Sequence, residues 1–402
     1  MNRVVITGLG VIAALGKNTS EFNASLKAGK SAIKPISVIP TEGLITKIGA
    51  DIPDFDPLAH FEENKLPLYD RCTQFALVAA REAIAQSKLD FRAGLGARTA
   101  AIIGSGAGGQ GTQDENYQRL YLQGMKRCHP LTIPKLMMNA PCSHITMEHG
   151  ITGPSFVIAS ACSSANHAMG VAFQMVRSGM IDAAVTGGTE AVFTFGTIRG
   201  WEALRVMAPD TCRPFSLGRK GMVLGEGAAI IVIETYESAQ KRGAEILAEI
   251  AGFGTTSDAS DIVMPALEGA SGAIGACLAD AKLAPEQVDY VNAHGTGTAA
   301  NDITETKALH KIFGEHAKKL AVSSTKSMHG HTLGAAGAIE LAATVCGIRD
   351  GFIPPTANYT ERDPQCDLDY VANEARQAPI NIAISNSFAF GGHNAVVAVK
   401  RV

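Results

Sequence analysis

Two successive series of short β-branched runs, interleaved with alanine-rich helical segments, restrict this 402-residue chain to layered α/β architectures. The first series reads RVVITGLGVI, FALVAAREAIAQSK, RTAAIIGSGAG, a helix following Cys162, DAAVTGGTEAV and AAIIVIETYE. A polar helical stretch, SAQKRGAEILA, follows at 238–248. The second series then runs ILAEIAGFGTTS, SGAIGACLADAKL, DYVNAHGTG, ITETKALHKIFG, KLAVSSTKS, AAGAIELAATVCGI, INIAISNSFAFGG and NAVVAVKRV. It is built like the first, and no low-complexity linker divides them. The halves 1–243 and 244–402 are therefore expected to pack as one body.

With 46% hydrophobic and 18% charged residues, the chain can bury a large core. Its formal charge of −3 and the lack of a long Lys/Arg run argue against nucleic acid as a partner. The opening MNRVVITGLGVIAALG places one Arg before an apolar segment, but Gly8 and Gly10 interrupt it and no A-x-A-like cleavage site follows. It reads as a first strand rather than a signal peptide. No stretch of about 18 uninterrupted apolar residues predicts a membrane span. The eight cysteines form neither CxxC pairs nor a dense disulfide framework, which suits a reducing compartment. A cytoplasmic location is expected, with every cysteine but Cys162 serving as a packing residue.

Cys162, in VIASACSSANHAMG, closes an apolar β-branched stretch and opens a run of small residues at a strand-to-helix turn. Unpaired N–H groups at a helix start favour thiolate over thiol, so its pKa is expected to be lowered. Alone, such a cysteine is more readily read as a buried structural residue. The helix after it carries Ala165, Ala168, Gly170 and Ala172, small enough for close packing in a central position, with His167 as a core residue. Three glycine-rich turns downstream change the weighing. NAHGTGTAAND supplies His294, Thr296, Thr298 and Asp302; SSTKSMHGHTLGAAGAIE supplies Lys326, His329, His331 and Glu340; ISNSFAFGGHN supplies Phe388, Phe390, Gly391, Gly392 and His393. A thiol at a helix start, two histidines in separate strand-end turns and a Gly-Gly loop point to acyl-thioester chemistry. GSGAGG at 104–109 matches the dinucleotide fingerprint, but it lacks the chain-initial βαβ setting and a ribose-binding acid. No cofactor and no metal is expected.

From RVVITGLG through ACSS, NAHGTGT, STKSMHGH and NSFAFGG to NAVV, the chain resembles the β-ketoacyl-(acyl carrier protein) synthases of the elongating type II class over essentially its full length. SACSSANHA and MAPDTCRPFSLGRKGMVLGEGA are most similar to the ketosynthases of rhizobial nodulation-factor pathways. The resemblance implies a thiolase-like duplicated α/β fold, five-layered αβαβα, working as a homodimer. It implies that Cys162 accepts an acyl group from a carrier phosphopantetheine thioester. His294 and His331 then assist decarboxylation of malonyl carrier, as neutral imidazoles that hydrogen-bond the thioester oxygen. The product is a 3-oxoacyl chain two carbons longer.

By the same resemblance, the N–H groups of Cys162 and Phe390 form an oxyanion hole, and the Phe390 ring, with Gly391 and Phe388 beside it, gates the acyl pocket. Lys326 tunes the second histidine, with Glu340 as its partner, since a buried lysine without a carboxylate is costly. Asp302 orders the loop bearing His294, Thr296 and Thr298 support the site, and His329 has a structural or surface role. Ala107 stands where relatives carry a branched aliphatic residue, which deepens the acyl pocket and predicts a preference for long chains. Trp201, where phenylalanine is typical, offsets part of that volume. Ala389 and His393 replace a glycine and a threonine of the gating loop, and the alanine is expected to restrict positive φ. Lys65, Lys126, Arg127 and Arg205 are the candidate contacts for an acidic acyl carrier protein. A non-catalytic chain-length partner would lack the nucleophile, and a biosynthetic thiolase would need a second cysteine in a C-terminal Cys-x-Gly turn. The starter-condensing class has Asn where His331 stands. A cysteine acyl hydrolase would release free acid without malonyl carrier.

Overall fold

Val4–Ala13, buried at every residue, forms strand β1 of the computed structural model, which describes residues 1–402. Four more strands of the first half are β2 (Thr99–Gly104), β3 (Ser155–Ile158), β4 (Ala183–Glu190) and β5 (Gly227–Thr235). The second half supplies β6 (Ala248–Ser257), β7 (Tyr290–Asn292), β8 (Ala321–Ser323), β9 (Ile382–Ala389) and β10 (His393–Lys400). The spatial orders are β3-β2-β4-β5-β1 and β8-β7-β9-β10-β6. In each set the first three strands are parallel and the remaining pairings antiparallel. Identical order and sense in both sets is the duplication seen in the sequence. The sets meet edge to edge where Val4–Ile6 runs antiparallel to Ala248–Ile250.

Six helices complete the layers: α1 (Arg71–Ser87), α2 (Ala140–His149), α3 (Ser164–Arg177), α4 (Leu267–Ala281), α5 (Ala299–Phe313) and α6 (Ala336–Asp350). α1 covers β1, β4 and β5, with α2 beside it; α4 covers β6 and β10, with α5 beside it. Between the sheets α3 and α6 touch each other and strands of both sets. The result is helix, sheet, helix, sheet, helix, the five layers expected. α6 is buried from Ala336 to Ile348, so it is apolar on all sides except for Glu340 and Thr344, as a central helix must be. β1 passes close under α1, and a Cβ at Gly8 or Gly10 would come within 2.0 Å of a carbonyl oxygen of that helix. The same glycines that interrupt a signal-like apolar run are what let the strand seat.

The largest apolar cluster joins Val4, Ile6 and Ala168 of the first half to Ile339, Val345 and Val397 of the second. No helix is long and apolar enough to cross a membrane. All eight cysteines are free and seven are buried, but Cys128 is exposed, so the packing role expected of it is corrected.

Candidate active site

The turn that bears Cys162 lies between β3 and α3. Ala161, immediately before Cys162, has φ +49°, a left-handed conformation that a non-glycine residue holds only when its surroundings enforce it. Here the Ser164 hydroxyl accepts from the Ser160 N–H (2.9 Å) and donates to the Ala161 carbonyl (2.6 Å). The thiol is buried, and burial pushes it up to about 12, with Lys326 drawing it down and Glu190 and Glu340 opposing. This corrects the expected lowering: desolvation of the thiolate outweighs the helix start.

His294 follows β7 and His331 follows the short helix Lys326–His329 after β8. Their rings meet edge to face, centroids 5.4 Å apart, and the Phe388 ring lies 6.0 Å from His294. Cys162, both histidines, Thr296, Thr298, Trp201, Phe388 and Phe390 line one cavity of about 130 Å³. Burial, then the charge of Lys326, holds both imidazoles well below their ordinary pKa, so they are neutral near pH 7. His331 Nδ1 accepts from the Leu333 N–H (3.2 Å), which leaves the proton of the neutral ring on Nε2.

Lys326 is fully buried, paired with Glu340, and donates to the His294 carbonyl oxygen (2.6 Å). The direct contact is thus with the first histidine's backbone rather than the second histidine, and its charge acts on both rings. Asp302 accepts from the N–H groups of Phe215 (2.7 Å) and Gly297 (3.2 Å) and so braces the turn after His294. Glu305, which sequence reading passed over, accepts from the N–H groups of His294 and Gly295 (2.8 Å each) and from Asn386 (3.1 Å). The Thr296 and Thr298 hydroxyls bond each other (2.9 Å). His329 is fully buried, bonded to the Gly330 carbonyl (2.8 Å) and Thr325 hydroxyl (2.9 Å), which removes the surface alternative. His167, half-buried, bridges the Ser160 and Thr255 hydroxyls (2.8 Å each).

The β9–β10 hairpin places positive φ on Gly391 (+84°) and Gly392 (+72°). Ala389 instead ends β9, paired with His393, so the strain expected there is absent. Trp201, on the helix Phe195–Ala203, stacks on Phe390 with centroids 5.9 Å apart and an interplanar angle of 26°. From the other side, the Gly391 N–H donates to the Ile262 carbonyl (2.8 Å), and Asp258 accepts from Asn394 (2.7 Å) and the Ala266 N–H (2.9 Å).

Ala107 packs on the apolar cluster of Cys162, Phe193, Ile198 and Leu333 but does not line the cavity. Of the basic candidates, Arg205 is exposed beside Val206, which lines the cavity. Lys65 pairs with Glu62 (3.1 Å), and Lys126 and Arg127 are exposed; none of these three lines the cavity.

Residues 1–239 match the beta-ketoacyl synthase N-terminal domain and residues 247–360 the C-terminal domain. Nodulation protein E of Rhizobium sp. (strain N33) is 47% identical over 400 residues, covering 100% of this chain and 99% of that protein. 3-Oxoacyl-[acyl-carrier-protein] synthase 2 of Staphylococcus aureus (strain COL) is 42% identical over 406 residues, covering 99% and 98%. Among solved structures, a beta-ketoacyl synthase from Burkholderia phymatum STM815 superposes with a TM-score of 0.92 at 33% identity, covering 100% of both chains. A type II polyketide ketosynthase in complex with its acyl-carrier protein, AntDE:AntF, superposes with a TM-score of 0.91 at 31% identity, again over 100% of both. The chain belongs to the beta-ketoacyl synthase family of acyl-condensing enzymes.

Proposed function

We propose that this protein is a 3-oxoacyl-[acyl carrier protein] synthase of the elongating type II kind, joining an acyl chain held on Cys162 to a malonyl unit with loss of carbon dioxide. The observation that carries the reading is the meeting of one thiol and two neutral imidazoles in a single buried cavity. In the first half-reaction Sγ of Cys162 attacks the carbonyl carbon of an acyl carrier thioester, the carrier sulfur leaves, and the thiol proton ends on it. In the second, the carbon–carboxylate bond of malonyl carrier breaks and its electron pair moves into the thioester as an enolate. The oxygen of that enolate accepts hydrogen bonds from His294 and His331, whose neutrality keeps them donors without a charge to desolvate. The enolate carbon then attacks the acyl–Cys162 carbonyl. The N–H groups of Cys162 and Phe390 hold the oxyanion, and collapse returns the cysteine sulfur and releases a 3-oxoacyl carrier two carbons longer.

Lys326, Glu340, Asp302, Thr296 and Thr298 support the imidazoles and the entrance, Phe388 and Gly391 flank the gate, and Ala107 borders the acyl chain. The halves 1–243 and 244–402 divide the labour, the first bringing the nucleophile and the second the imidazoles and the gate. The partners are an acyl carrier protein, in keeping with the named relatives, and a second copy of the chain. Arg205, one residue from the cavity wall, is the first carrier contact to test, ahead of Lys65, Lys126 and Arg127. Eight unpaired cysteines favour a cytoplasmic setting.

Intact-protein mass after incubation with a series of acyl carrier thioesters, followed by malonyl carrier and product analysis, tests the reading. An adduct on Cys162 that converts to the longer 3-oxoacyl product is expected. No adduct at any chain length, with Cys162→Ala indistinguishable from wild type, would assign the chain to the non-catalytic partner class. Free acid released without malonyl carrier would make it a hydrolase.

A further inference from the structure

One fully buried carboxylate near the cavity has no part in the chemistry described above. Glu190 ends β4 with no exposed surface and no cationic partner, yet it accepts four hydrogen bonds from neutral donors. Oε1 accepts from the Ser105 hydroxyl and the Ala107 N–H (3.1 Å each). Oε2 accepts from the N–H groups of Gly106 (2.7 Å) and Gly334 (2.9 Å). Three donors belong to the turn after β2, whose Ala107 packs on the same apolar cluster as Cys162. The fourth belongs to the turn that aims His331.

That second turn needs holding. Leu333 sits at φ +47° while its N–H orients the His331 ring, and such a conformation persists only when neighbouring bonds over-determine it. The backbone closes tightly on the carboxylate: a Cβ at Gly334 would stand 2.5 Å from Oε2. An amide could not substitute, because its NH₂ would face two N–H or O–H donors and leave them unpaired in the interior.

We propose that Glu190 is a positioning residue that couples the two half-reactions, its carboxylate tying the turn beside the acyl chain to the turn that aims His331. An acyl chain seated on Cys162 presses on the 105–107 turn, and the shared carboxylate transmits that placement to Gly334 and the imidazole. Decarboxylation is thereby favoured once an acceptor is in place. The proposal rests on the condensing function argued above.

The test separates the half-reactions in the full-length protein. Acylation of Cys162 is followed by mass, and carbon dioxide release from malonyl carrier is measured with Cys162 free and acylated. Wild type is expected to release carbon dioxide faster when acylated. Glu190→Gln is expected to acylate within about twofold of wild type but to lose on the order of tenfold to a hundredfold in release from the acylated form. Glu190→Asp, which keeps the carboxylate, recovers part of the loss. Ser105→Ala, which removes one of the four bonds, shows a smaller loss of the same kind and decides the matter if the glutamine variant does not fold. Release at the wild-type rate from acylated Glu190→Gln or Ser105→Ala overturns the coupling, as does an equal fall in both half-reactions. Wild type that neither acylates nor decarboxylates overturns the condensing function itself.

Discussion

His294 and His331 differ from ordinary histidines in that nothing near them offsets the loss of water. Both are buried, and the largest charge effect on them is that of the Lys326 cation, which repels a second positive charge. Their pKa is lowered, so protonation sets in only when pH falls far below 6.5, and the donors that steady an enolate stay neutral across the usual range. The two rings are therefore expected to stay neutral from about pH 7 down through 6.5, where an ordinary imidazole would become charged, and any change in malonyl decarboxylation over that range belongs to Glu190 and Glu340, which burial pushes up to about 7. Following the His294 and His331 ring resonances by NMR as pH is lowered checks this, and titration of either ring centred near pH 6.5 would show that the rings are hydrated. The residue types that carry the site were legible because cysteine and histidine are scarce and stand in glycine-rich turns. Glu190 and Glu305 were not legible, since an acid in GGTEA or TETKA reads as a surface charge. Each bonds to backbone amides, with the turn after His294 lying 10 residues from Glu305 and Gly334 lying 144 from Glu190. The upward shift of the Cys162 thiol was hidden for a related reason: a helix start is visible in sequence, whereas burial is a property of the assembled layers.

The β9–β10 hairpin, proposed above as the gate, shows what two elements impose on a third. Its three-residue tip is held by the Trp201 ring and the Ile262 carbonyl, and the cavity it helps line, about 130 Å³, has room for roughly four waters. An acyl chain of many carbons exceeds that volume, so its entry is expected to move the tip and break the Trp201–Phe390 stack. An aromatic pair of this kind contributes about 0.5–1.5 kcal/mol, equivalent to roughly a twofold to tenfold change in rate. Trp201→Ala is expected to acylate faster by about that factor with long-chain carriers, where gate opening limits the step. Trp201 is the only tryptophan, so its emission is also expected to change as wild type is acylated. Unchanged emission together with an unchanged variant rate would show that the two rings separate freely. The sequence marked the loop's glycines and the departure at Ala389, but the hairpin register puts Ala389 in a strand and leaves positive φ to Gly391 and Gly392. The Trp201–Phe390 stack joins segments of the two halves that no local pattern relates.

At the scale of the whole chain, each half alone has an unfinished sheet edge and an uncovered face. β1 and β6 pair edge to edge, and α3 and α6 fill the space between the sheets, so the largest core cluster draws on both halves. Cys162 comes from one half and His294, His331 and Phe388 from the other, which means that the cavity exists only while the halves are docked. Interfaces between independent domains are smaller and more polar than such a shared core. The protein is accordingly expected to unfold in one cooperative transition, despite its length and internal duplication. Trp201 emission reports the contact of the first half with the Phe390 hairpin of the second, and far-UV circular dichroism reports all ten strands and the helices of both. In a guanidinium titration the two curves should coincide, and Cys162 alkylation should rise at the same midpoint. A tryptophan transition that precedes the dichroism curve, with Cys162 alkylation rising alongside it, would mean that the halves part, and the thiol and the imidazoles separate, before the fold is lost.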